Sequence, residues 1–154
     1  MSFIGIVANE KQVNGIKKVL SKQDKEKDLQ IIAINSKSIE NIINIKFETI
    51  VIIDSIDKLY DKIENLRKII NNAEYLIINS DLSIENEILA DIKIKTITYG
   101  LKQKSTITAS SIQEESIIIC IQRKIRNIQD KIIEPKETKI NIQHNKKIYE
   151  ILAI

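Results

Sequence analysis

The stretch of this chain with the clearest chemical potential is Ala8-Asn9-Glu10-Lys11-Gln12-Val13, directly after the apolar run FIGIV and directly before a helical pattern. Strand, tight turn and helix in that order is where nucleotide-binding folds hold phosphate. Such a turn needs glycines so that successive backbone N–H groups can wrap the anion, a Lys for the outer phosphates, and a Ser or Thr hydroxyl for magnesium. Here the turn has no glycine and no Ser or Thr after Lys11, and Glu10 puts a negative charge where phosphate would sit. Asn9 and Lys11 remain as weak candidates, since a lysine beside a helix start is ordinarily solvated surface. Elsewhere Asp54, Asp57 and Asp81, at the ends of apolar runs, are candidates for general acid or base, but no nucleophile–base pair follows from their spacing. One His, His144, and one Cys, Cys120, make no zinc pattern. Cys120 lies within SIIICIQ and reads as a small packing residue.

The elements that must position these residues follow from hydrophobic pattern. Continuous apolar runs at 3–9, 29–35, 47–54 and 73–81 read as strands covered on both faces. Between them, Val13, Ile16, Val19 and Leu20 share one helical face, as do Leu59, Ile63, Leu66, Ile69 and Ile70. Ser38 and Ser55 stand where N-caps would start the second and third helices. Strand and helix in alternation predict a parallel sheet. A fifth run, 92–101, follows a short helical piece at 84–90. After it the pattern changes: 105–112 alternates, and 115–125 and 131–142 read as neighbouring strands, an antiparallel unit in which Pro135 marks an edge or a bulge. The expected fold is therefore α/β, a Rossmann-like, mostly parallel sheet flanked by helices over residues 1–101, then a small antiparallel unit and terminal helix over 102–154, all in one domain.

Composition narrows the function. Ile supplies 39 of the 154 residues, and Lys and Asn fill much of the rest, a skew that suggests coding bias. The 24 basic and 21 acidic side chains are interspersed. With four Tyr and two Phe scattered, no basic, aromatic-lined face points to nucleic acid. RKIR at 123–126 is the densest basic spot, and its alternation with Ile reads as the wet side of a strand. No run has membrane-spanning length and no leader pattern opens the chain, so a cytoplasmic protein is expected.

Several stretches together resemble the central domain of the Mur ligases and their relatives, the folylpolyglutamate synthetases and polyglutamate-capsule ligases. YLIINSD (75–81) looks like their strand ending in Asn-x-Asp-Asp. TITYGLKQKSTITASSI (96–112) is similar to the passage in which their parallel sheet hands over to an antiparallel one. INIQHNKKIYEILAI (140–154) looks like their His-Asn segment and the helix after it. FIGIVANEKQVNGIKKVL lies where the family has its phosphate loop. The resemblance implies an ATP-dependent ligase scaffold, but it also implies a Glu and a His that hold magnesium after the middle strands, and INSKSIEN and IIDSIDK contain no histidine. The family's two flanking domains would not fit in 154 residues.

By the resemblance, Asn145 would contact an adenine ring and His144 would brace the turn. Read from the residues alone, the pair caps the last helix. Without a phosphate site, an adenine pocket lacks the charge-assisted contacts that hold a nucleotide best. The expectation is a non-catalytic Mur-ligase-like module without cofactor or metal that binds a protein or ligand, with a link to cell-wall or sporulation biology suggested only by kinship. A nucleotide or small-ligand sensor using the crevice at the strand ends is the alternative, and a small hydrolase or transferase of unrelated mechanism the third. An unknown protein partner is expected, and a homodimer could form through an Ile-rich strand edge.

Overall fold

The computed structural model describes residues 1–23, 29–82, 89, 91–127, 130–142 and 148–154. Its frame is an eight-stranded sheet built from β1 (Ser2–Val7), β2 (Leu29–Ala33), β3 (Thr49–Ile52), β4 (Tyr75–Asn79), β5 (Lys95–Tyr99), β6 (Ile107–Ile112), β7 (Ser116–Ile121) and β10 (Lys136–Asn141). The spatial order is β10-β7-β6-β5-β4-β3-β1-β2. Strands β2, β1, β3, β4 and β5 are parallel throughout. Their 2-1-3-4-5 order is that of a doubly wound fold, with the direction of winding reversing between β1 and β3.

The antiparallel strands continue this same sheet rather than forming a separate one. β6 joins β5 in parallel through the single pair Tyr99–Ile107, and β7 then pairs with both β6 and β10 in antiparallel register. A register shift between Ala109 and Ser111 marks a bulge in β6. The chain between β7 and β10 forms a two-stranded hairpin, β8 (Ile125–Arg126) with β9 (Ile132–Ile133). Pro135 separates β9 from β10, which lies at the sheet edge as its proline suggested. All six residues of β10 are exposed, and its Lys136, Glu137 and Lys139 discourage pairing with another edge.

One face of the sheet is well covered. Segment 35–48 and the helix α2 (Ile63–Asn71), entered through a 3-10 turn at Asp57–Lys62, bury Ile39, Phe47, Leu66, Ile69 and Ile70 against Ile50, Ile52 and Leu76. Segment 35–44 corrects the sequence expectation, because it is a series of turns and not a helix. Asn35 Oδ1 accepts the backbone N–H groups of Lys37 and Ser38, while Ser38 Oγ accepts the Asn35 N–H and donates to the Ala33 carbonyl. These local bonds compete with helix, and the β-branched isoleucines at 39, 42, 43 and 45 add little helical preference. Ser55 is not the N-cap either: that position is Ile56, which makes no side-chain cap bond, while Ser55 Oγ, one residue earlier, accepts the Asp57 N–H at 3.2 Å. The short helix expected at 84–90 falls almost wholly outside the described residues.

The other face carries α1 (Glu10–Gln23), which packs Val13 and Ile16 on Ile4, Ile6 and Val51, and α3 (Ile148–Ala153), which buries Leu152 and Ala153. The first face comes closest to the backbone at Gly5 in β1, where a Cβ would stand 2.6 Å from Ile34 Cδ1 and 2.7 Å from Ile50 Cδ1. Both side chains are fully buried and have nowhere to move. Gly5→Ala is therefore expected to overpack this core and cost about 1–3 kcal/mol. Urea unfolding measures it, and an unchanged midpoint would contradict the packing described.

Candidate functional site

Two places deserve comparison, the turns at the carboxyl ends of the parallel strands and a groove on the α1–α3 face. At the switch point, the Val7 carbonyl accepts the Ile53 and Asp54 N–H groups at 3.1 and 3.3 Å, so the turn after β3 abuts the turn after β1. The polar groups here bond to one another. Asn9 Oδ1 accepts the Gln12 N–H at 3.0 Å, and Gln12 Oε1 accepts the Asn9 N–H at 3.1 Å. This reciprocal capping box uses donors that a phosphate would need, and Glu10 in the first turn opposes any anion. Lys11 is exposed on α1. Asp54 accepts the Ser55 N–H at 2.9 Å, and Asp57 opens the 3-10 turn, exposed.

Further along the same edge, β4 and β5 end in a denser polar knot. Ser80 Oγ lies 2.6 Å from Ser105 Oγ and donates to the Tyr99 carbonyl at 3.1 Å, while Lys102 Nζ donates to the Ser80 carbonyl at 3.2 Å. Asp81 Oδ2 accepts the Leu101 N–H at 2.6 Å and the Tyr149 hydroxyl at 3.2 Å, fastening α3 to the strand ends. Asp81 Oδ1 is buried and has no hydrogen-bond partner among the described residues. Gly100, with φ at 156°, is required by this knot, since its Cβ would stand 2.7 Å from Ser80 Oγ and 2.8 Å from Asp81 Oδ2. Here Asp81 works as a fastener. His144 and Asn145 lie outside the described residues, so the adenine and cap readings of that pair are both left where the sequence put them. Among the described residues no cluster of His, Cys, Asp and Glu is arranged to hold a metal ion, and no helix is long and apolar enough to cross a membrane.

Tyr99 links the knot to the core. Its ring is fully buried, and its hydroxyl donates to the Ile52 carbonyl at 3.0 Å, reaching from β5 past β4 to β3. Burial, then the charges of Tyr149 and Glu150, push its phenol well above the ordinary value. Tyr149 is raised in the same direction by desolvation and by its bond to Asp81.

The groove was not visible in the sequence. It has a volume of about 470 Å³ and is floored by alternate residues of the sheet, among them Val51, Ile77, Ile97, Ile107 and Ile119. α1 bounds it through Ile16 and Leu20, α3 through Ile151 and Leu152, and the β8–β9 hairpin through Ile125 and Ile133. Polar side chains enter at the lower strand ends (Glu48, Thr49, Tyr75), from the hairpin (Arg126, Asn127) and from β10 (Lys136, Thr138). The expectation that run 73–81 is covered on both faces is thus corrected at Ile77, which is only half-buried, as are its neighbours on this face, Ile97, Ile107 and Ile119. The available signal was a shortage of helices, because nothing of helical length and pattern stands between 101 and 145 to cover this face.

No protein-family model matches the chain, and no curated protein matches it.

Asn9→Ala removes half of the capping box and is expected to lower stability by about 1 kcal/mol, read by thermal or urea unfolding. No loss would mean that the turn is not held as described. A raised tyrosine is neutral in the fold, so its contribution is complete below the unfolded-state value near 10 and declines as pH rises above it. Tyr99→Phe should cost about 1–2 kcal/mol at neutral pH through the lost hydrogen bond. It should also lose less further stability between pH 9 and 11 than the native chain does; parallel losses would argue against a buried phenol.

Proposed function

We propose that this chain is a non-catalytic binding module of Mur-ligase-like ancestry, and that it binds through the apolar groove on the α1–α3 face and not through the strand-end turns. One observation carries the reading: about 470 Å³ of space lies over half-buried isoleucines on a sheet face whose two helices leave it open. Pockets of this size, mainly apolar with a few polar groups at the margin, are typical of small-molecule sites. The turns at the switch point support a nucleotide poorly, because Asn9 and Gln12 bond to each other and Glu10 repels phosphate. The same turns weaken the sensor alternative, which needs free donors there. A connection with cell-wall or sporulation biology rests on the kinship alone.

An environment-sensitive apolar dye should bind the native chain saturably at one site. Ile97→Trp fills the floor of the groove and is expected to weaken that binding about tenfold while the cooperative unfolding transition is kept. ATP with magnesium should show no calorimetric binding at micromolar concentration. Dye binding that ignores the tryptophan, or micromolar ATP affinity, would overturn the proposal.

A further inference from the structure

The chemistry of the groove lining narrows its occupant, and this step rests on the reading just proposed. Floor and walls are mainly aliphatic: isoleucines from β1, β4, β5, β6 and β7, Val51 of β3, and further isoleucine and leucine from α1 and α3, with Tyr75 the one aromatic ring among the lining residues described. Polar atoms are few and lie at the ends of the groove, so an aliphatic ligand suits its length better than a polar or heterocyclic one. The charges sit at the margin and are unequal. Among the lining side chains described, Arg126 and Lys136 are positive and Glu48 is the acidic one. Arg126 is bonded to Asp130 at 2.8 Å on the hairpin, whereas the Lys136 ammonium has no hydrogen-bond or ion-pair partner among the described residues. Lys136 and Thr138 project from β10 on the same side as Ile140, so an ammonium and a hydroxyl stand where the aliphatic floor meets water.

We infer that the groove binds a single-chain aliphatic carboxylate, its chain lying on the isoleucine floor and its head group against Lys136. A carboxylate there gains a charge-assisted partner that the chain does not otherwise supply. The aliphatic tail gains burial in proportion to its length.

The test uses dodecanoate and dodecan-1-ol, each added below the concentration at which it self-associates, with binding read by displacement of the dye and by native mass spectrometry. Dodecanoate is expected to bind at 1:1 stoichiometry and at least fivefold more tightly than the alcohol. Lys136→Glu should weaken dodecanoate about tenfold and the alcohol less than twofold, and Lys136→Arg should retain most of the affinity. Lys136 is exposed on an edge strand, so these variants should fold as the native chain does, which circular dichroism checks. Equal binding of acid and alcohol, or indifference to Lys136→Glu, would overturn the inference yet leave an apolar site. Absence of binding by both, with the dye still blocked by Ile97→Trp, would also overturn it. Dye binding insensitive to Ile97→Trp would instead remove the underlying reading.

Discussion

A sheet whose inner strands are rich in Ile has two apolar faces, and each must be kept from water by something else in the chain. That constraint organises this molecule. On one face, segment 35–48, the 3-10 turn and α2 meet it, and Ile39, Phe47, Ile50, Ile52, Leu66 and Leu76 are all fully or almost fully buried. On the other face α1 covers β1 and β3, but beyond β3 the cover thins to the six described residues of α3 and a two-stranded hairpin. The groove is what remains of the unmet part of this requirement. Its location follows from connectivity, since after β5 the chain makes strands where a doubly wound fold would make a helix.

The turns at the carboxyl ends of the strands, the usual place for ligands in an open parallel sheet, are occupied with their own hydrogen bonding. Asn9 with Gln12, Asp54 with Ser55, and Asp81 with Leu101 and Tyr149 each satisfy backbone or side-chain donors locally. Side-chain oxygens that close on neighbouring N–H groups make rigid turns, and rigidity of this kind leaves few donors for an anion. The same residue types that look like chemistry in a list of polar positions therefore serve as fasteners here.

Much of the frame was legible in the sequence because period and punctuation agree along it. The runs 3–9, 29–35, 47–54 and 73–81 each contain a strand, the helical face of Val13, Ile16 and Leu20 packs as its spacing requires, and Pro135 stands where β9 gives way to β10. Segment 35–44 misled because its apolar spacing suits a helix while its Asn and Ser side chains favour turns, and pattern alone does not weigh those two against each other. The groove was illegible for a different reason. A run of isoleucines reads the same whether a helix or a ligand lies over it, so cover is a property of the whole topology and not of the strand. Arg126 and Lys136 likewise read as solvated charge until the hairpin and the edge strand place them at one rim.

The junction between β5 and β6 bears on how the molecule moves. Five parallel strands are laced together along their lengths, and so are β6, β7 and β10, yet the two blocks share only Tyr99–Ile107 as a strand pair. Beyond that pair the junction is held by bonds such as Thr98 with Thr106 and Ser80 with Ser105, and stability within a fold is seldom uniform across a line like that. The seam runs beneath the groove, through Ile97 on one side and Ile107 on the other. A small opening there would widen the cleft without unzipping either block, giving an otherwise stiff β-structure a built-in way to breathe around whatever it holds.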